Sequence, residues 1–293
     1  MILNVSGRCD IVAFYTPWFI NRYREGYVDV RNPFYNKQVS RIYFKDVDLI
    51  VFCTKNPMPI ISYISEIKIP IIFHVTITPY HRDIEPGVYN KKSIIEAVKK
   101  ISKIIGKENL YIRYDPIFLS DKYNLSYHLK SFQRLCELLD GYTSHIIISF
   151  IDLYKNVKNN LKVLNLKPFE EDDYRKIGIN FSMIAKKHNM TVQTCFEKHD
   201  LVQYGFIKKD CLDFNLAYKK TNKTKFRKWK ARGCGCVEMV DIGAYNSCKH
   251  YCRYCYANYD ENKVDDNYKN HYVNSSLLIG KLTNEDIIKV RKQ

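Results

Sequence analysis

Three cysteines near the end of the chain are spaced for metal chemistry. In "NSCKHYCRYCYAN", residues 246–258, Cys248, Cys252 and Cys255 form a Cys-x3-Cys-x2-Cys array, with Tyr254 just before the last thiol. Three thiolates on one short loop can each bind one iron of a 4Fe–4S cube and leave the fourth iron without a protein ligand. The other chemistry open to this loop is a zinc knuckle, in which His250 joins the three thiols. Structural zinc favours looser ligand pairs, and His250 lies awkwardly between two cysteines. The spacing therefore points first to the iron–sulfur cluster.

Such a loop needs elements to hold it, and Cys255 lies only 38 residues from the end of a 293-residue chain. The scaffold must come from what precedes it. Short apolar runs recur there: "LIVFCT" (49–54), "IPIIFHVTI" (69–77), "NLYIRYDPIF" (109–118), "HIIISF" (145–150) and "MTVQTCF" (190–196), with "MILNVS" (1–6) and "VEMVDI" (237–242) as weaker members. Most lack strict alternation, as parallel strands covered on both faces do. Between them lie amphipathic helical patterns at 91–106, 124–141 and 170–189, and Asp10 is placed to cap a helix carrying Ile11, Phe14, Trp18 and Phe19. Residues 26–44 read as a hairpin or extended insertion.

This alternation predicts an α/β fold, a parallel β/α barrel of TIM-like type, closed or incomplete. Chemistry in such barrels collects where strands end. That rule selects Arg8 and Asp10, Thr54, Lys55 and Asn56, Thr76 and Thr78, Arg113 and Asp115, Ser149, Asp152 and Glu197. The chain reads as a single domain: barrel units over 1–200, an irregular cysteine-containing linker over 201–236, the cluster-binding strand and loop over 237–262, and a tail with a short helix over 263–293.

Composition narrows the partners. The formal net charge is +16, which suits a nucleic-acid partner. The tract "KKTNKTKFRKWKARG" (219–233) mixes cations with aromatic rings, as phosphate-tracking surfaces do, although a solvated linker has the same composition. No apolar stretch is long enough for a membrane helix and the N-terminus lacks the layout of a secretory signal, so a cytoplasmic location is expected. Ten cysteines in a chain this long point to metal or redox chemistry and not to a disulfide scaffold.

The cysteine loop resembles the cluster-binding loop of radical S-adenosylmethionine (SAM) enzymes. The chain as a whole resembles domain-of-unknown-function family 1848 through "YVDVRNPF", "VSRIYF", "DVDLIVFCTKNP", "TITPYHRDIEPG", "IRYDPI", "HIIISFIDLY", "GCGCVEMVDIGAYNSC" and "CRYCYAN". The resemblance implies a circularly permuted radical SAM enzyme whose barrel precedes its cluster loop. Such an enzyme cleaves SAM reductively and abstracts hydrogen from a substrate, here unidentified, with nucleic acid or a nucleotide among the possibilities. A low-potential reductant of flavodoxin or ferredoxin type is implied.

Tyr254, Lys55, Asn56, Arg8 and Asp10 are the expected cofactor contacts, and Arg113 and Asp115 the expected catalytic pair at the mouth. Cys9 and Cys53 stand where the family more often has Thr and Trp, which makes them poor shared ligands. At the mouth, Cys53 could instead donate a hydrogen atom. Cys195, Cys211, Cys234 and Cys236 match the family pattern and form the complement for a second 4Fe–4S cluster or for zinc. If 237–242 is all strand, Cys236 and Cys195 lie at opposite ends of the sheet. Two other classes stay open, a zinc-stabilised nucleic-acid-binding protein and an iron–sulfur electron-transfer protein.

Overall fold

The computed structural model describes residues 1–229 and 233–292. Lys230, Ala231 and Arg232 of the basic tract therefore lie outside the described residues. In chain order the elements begin with β1 (Ile2–Val5), α1 (Ile11–Phe14), α2 (Thr16–Glu25), β2 (Tyr27–Arg31), β3 (Gln38–Tyr43), β4 (Leu49–Thr54) and β5 (Ile71–Thr76). There follow α3 (Lys91–Ile105), β6 (Leu110–Ile117), α4 (Leu125–Leu139), β7 (His145–Phe150), the short α5 (Lys155–Lys158) and α6 (Leu161–Leu164), and α7 (Glu171–Lys187). The chain ends with β8 (Thr191–Thr194), α8 (Phe214–Thr221), β9 (Met239–Asp241), α9 (Glu261–Lys269) and β10 (Ile287–Val290).

Seven strands form one sheet in the order β8-β7-β6-β5-β4-β1-β9, and every pair in it is parallel. All seven expected strands are present. The expected closure is not shown, because among the described residues no strand pairing joins β8 to β9. The fold is a mixed α/β one with a seven-stranded parallel sheet flanked by helices. The insertion at 26–44 is an antiparallel hairpin of β2 and β3, and β10 adds to it in parallel.

The period of two along each strand splits the core. Leu3, Val5, Ile50, Phe52, Phe73, Val75, Ile112 and Ile148 face the helical layer, where Phe132 of α4 stacks on Phe181 of α7 at 3.7 Å. Burying an aromatic side chain of that size contributes about 1.5–3 kcal/mol. Ile2, Leu49, Val51, Ile72, Tyr111 and Ile147 face the other way, onto Leu212, Leu216 and Ala217 in and just before α8. The stretch 201–236, expected to be an irregular linker, thus contains α8, and its residues 211–217 cover the second face of the sheet. Its apolar face is short (Leu216 and Ala217 are the buried residues of α8), so no long periodic pattern announces it.

The caps follow the local sequence. Asp10 accepts a hydrogen bond from Ala13 N at 2.9 Å, Asn90 caps α3 and Asn124 caps α4. The helix expected after Asp10 is broken into α1 and α2, with Pro17 in the first turn of α2.

Candidate metal centre

The three-thiol loop begins shortly after β9, at the carboxyl ends of the parallel strands. It is closed on itself: Asn246 N donates to Ala257 O at 3.0 Å, Tyr259 N to the Asn246 side chain at 2.8 Å, and Cys255 N to Cys252 O at 3.0 Å. The Asn258 side chain brackets Cys248, accepting from its N–H and donating to its carbonyl.

His250 fastens this loop to the sheet. Its Nε2 lies 2.8 Å from Asp10 Oδ2 and its Nδ1 3.3 Å from Gly87 O, while Gly87 N donates to His250 O at 2.9 Å. Phe14 packs edge-on against the ring at 4.7 Å. Both ring nitrogens are engaged, so His250 is no fourth ligand for a zinc knuckle. Among the described residues, no group of three or more His, Cys, Asp and Glu side chains is arranged to hold a metal ion.

Cys248, Cys252 and Cys255 are each half-buried. Burial pushes the Cys255 thiol up to about 11 and raises the Cys252 thiol well above its ordinary value. The Cys248 thiol is raised first by its contact with Cys9 and then by burial. Thiols so placed stay protonated until a metal takes them, and metal binding then releases their protons. Cys9, a poor shared ligand by sequence, is a buried neighbour of the first thiol. Nothing in the sequence links the two.

Beneath the loop lies a carboxylate that sequence reasoning missed. Glu85 is 2% exposed and receives Lys55 Nζ at 2.8 Å, Lys91 Nζ at 3.0 Å, Thr78 Oγ1 at 2.5 Å and the hydroxyl of Tyr254. Burial alone would raise its pKa, but Lys55 and then Lys91 outweigh it and hold Glu85 at about 2. The stretch "HRDIEPG" reads as a polar turn, which gives no sign that its glutamate is buried.

The expected cofactor contacts divide accordingly. Tyr254 gives its hydroxyl to Glu85, with its ring against Tyr80 and Lys55. Lys55 stands between Glu85, Cys252 and Asp115 and feels the charge of each. Asp10 accepts from Ala13 N and Lys55 N and meets His250, and Arg8 is bound to Asp241 at the end of β9. Asn56 folds locally, its N–H on Thr54 Oγ1 and its side chain accepting from Met58 N.

A second group lies on the other face of the sheet. Arg113 Nε donates to Asp115 at 2.9 Å, and its Nη1 reaches Cys211 Sγ at 3.5 Å. Cys53 lies in the same apolar cluster, its thiol 3.4 Å from Asn4 Oδ1. Glu197, raised to about 7 chiefly by burial, accepts from Phe150 N at 2.9 Å. Cys195 and Cys211 are in sulfur contact at 3.0 Å. Cys236 touches Cys211, and Cys234 is buried in the same cluster. The separation expected for Cys236 and Cys195 does not arise, because β9 is only three residues long and Cys236 precedes it.

A parallel α/β sheet with a three-thiol loop at its strand ends defines the class of this molecule. A family described as "Domain of unknown function (DUF1848)" matches residues 2–257, through the last cysteine of the loop. The chain belongs to that family. No curated protein and no solved structure matches it.

Proposed function

We propose that the chain is a radical SAM enzyme whose 4Fe–4S cluster is held by Cys248, Cys252 and Cys255. The observation that carries this reading is the docking of the three-thiol loop, through His250 on Asp10 and Tyr254 on Glu85, onto the carboxyl ends of a parallel sheet. The donor set fits. Three thiolates each take a separate iron and need not converge on one point, unlike the ligands of a single zinc ion.

When bound and reduced, the cluster with SAM supplies a 5′-deoxyadenosyl radical that takes hydrogen from a substrate. The chain supplies placement and exclusion of side reactions. Lys55 presents a cation beside the loop, suited to a carboxylate, while Glu85 holds that lysine in place and balances part of its charge. Asp115, whose charge reaches Lys55, is held by Arg113 in an ion pair suited to orienting a polar substrate. We read the sheet as an incomplete barrel in permuted order, because β9, which leads into the loop, lies beside β1. A flavodoxin- or ferredoxin-type protein would deliver the electron.

The test is anaerobic reconstitution with iron and sulfide, followed by SAM and dithionite. 5′-Deoxyadenosine should accumulate, and Cys252→Ala should reduce it to background. An intact cluster that yields none would overturn the reading in favour of an electron-transfer protein. Colourless protein with stoichiometric zinc after the same treatment would also overturn it.

A further inference from the structure

We propose that Cys195, Cys211, Cys234 and Cys236 form a second metal site, a tetrathiolate centre on the face of the sheet opposite its main helical layer. This stands on its own residues and does not need the loop reading. Cys195 follows β8, Cys211 precedes α8, and Cys234 and Cys236 precede β9, so three separate segments bring four thiols into one apolar cluster with Tyr111 and Ile147. Cys195 and Cys211 sulfurs are 3.0 Å apart, and Cys211 also touches Cys236.

The surrounding backbone is built to hold this arrangement. Gly235 N, between the last two cysteines, donates to Asp210 Oδ1 at 2.9 Å. A Cβ there would stand 2.8 Å from Asp210 Cγ, so a larger residue would have to displace the Asp210 side chain that this N–H holds. Val237 N donates to Leu212 O at 3.0 Å, and Trp229 N to Cys236 O at 2.9 Å. The residues next to Cys211 are thus hydrogen-bonded to the residues around Cys236.

A cation stands beside these sulfurs, although contact between the thiols and burial still raise Cys195 and Cys211 on balance. Arg113 spends Nε and Nη2 on Asp115, which leaves Nη1 for Cys211, and the guanidinium also reaches Cys195. A cation beside sulfur favours the thiolate, the form that binds metal. Ligands about 2.3 Å from a tetrahedral metal stand about 3.8 Å apart. Cys195 and Cys211 must therefore spread by roughly an ångström to hold a single ion.

The test uses the full chain with Cys248, Cys252 and Cys255 all changed to alanine, so that the loop cannot contribute. One arm is reconstituted with iron and sulfide, and the other receives zinc alone. One centre per chain should be retained, as a brown iron–sulfur chromophore or as colourless zinc, and either result supports the proposal. Adding Cys195→Ser and Cys211→Ser should remove it. A folded triple variant that binds neither metal overturns the proposal. If that variant fails to fold, Cys195→Ser with Cys211→Ser in the otherwise native chain must lose the metal of one centre. Unchanged metal content then overturns the proposal. Metal lost with Cys195 and Cys211 but never with the loop cysteines would sink the radical SAM reading and leave this site standing.

Discussion

At the scale of single residues, the Asp10–His250 pair decides where the three-thiol loop sits. Both side chains are buried, and Asp10 also caps α1 and receives Lys55 N. Removing one member of a buried hydrogen-bonded pair leaves the other without its partner, at a cost of about 3 kcal/mol. His250→Ala is expected to lower the urea-unfolding free energy by that amount, and Asp10→Asn by less, because the amide still offers an oxygen. A loss under about 0.5 kcal/mol for His250→Ala, the range of an ordinary surface change, would show that the loop is held by other means. The cysteine spacing was readable in the sequence. The engagement of both ring nitrogens of His250 was not, since its partners lie at Asp10 and Gly87.

Among the elements, the segment between β5 and α3 matters most to the site. Gly87 touches the loop so closely that a Cβ there would stand 3.0 Å from His250 Cα and nearer still to the Lys249 carbonyl oxygen. Both are backbone atoms, so no side chain can swing away. Gly87→Ala is expected to cost about 1–3 kcal/mol, as overpacking does, and to push the loop off the sheet. Iron incorporation on reconstitution should fall while the far-ultraviolet circular dichroism stays native. Normal iron content would mean that the loop tolerates displacement.

The main strands were legible as dense apolar runs of six or more residues, and the three long helices through their apolar periodicity. Helix α8 was not, since its apolar face is brief. Strand β10 was not either, being short and exposed along its length.

For the whole molecule, Glu85 joins regions distant in sequence: Lys55 after β4, Thr78 after β5, Lys91 at the start of α3 and Tyr254 of the loop. Its pKa is about 2 in the folded chain, against an ordinary 4.5. A depressed carboxylate stabilises the fold above its unfolded pKa, and that contribution is lost as pH falls through the folded value. The difference is worth on the order of 3 kcal/mol. Between pH 5 and pH 2 the native chain should therefore lose stability more steeply than Glu85→Gln, followed by urea midpoint at each pH. Parallel curves for the two would show that Glu85 is not held in its charged form.

What the sequence by itself determined is local: the thiol spacing that suits three irons, the cap at Asp10, and the alternation of strands and helices that yields a parallel sheet. Each depends on residues a few positions apart, where turn geometry and side-chain period act directly. Only the tertiary structure decided that Cys195, Cys211 and Cys236 meet, that Glu85 is buried under two lysines, and that residues 211–217 cover a sheet face. Those contacts join residues tens to hundreds of positions apart. They are set by strand order and by the shortness of β9, and no local pattern records either.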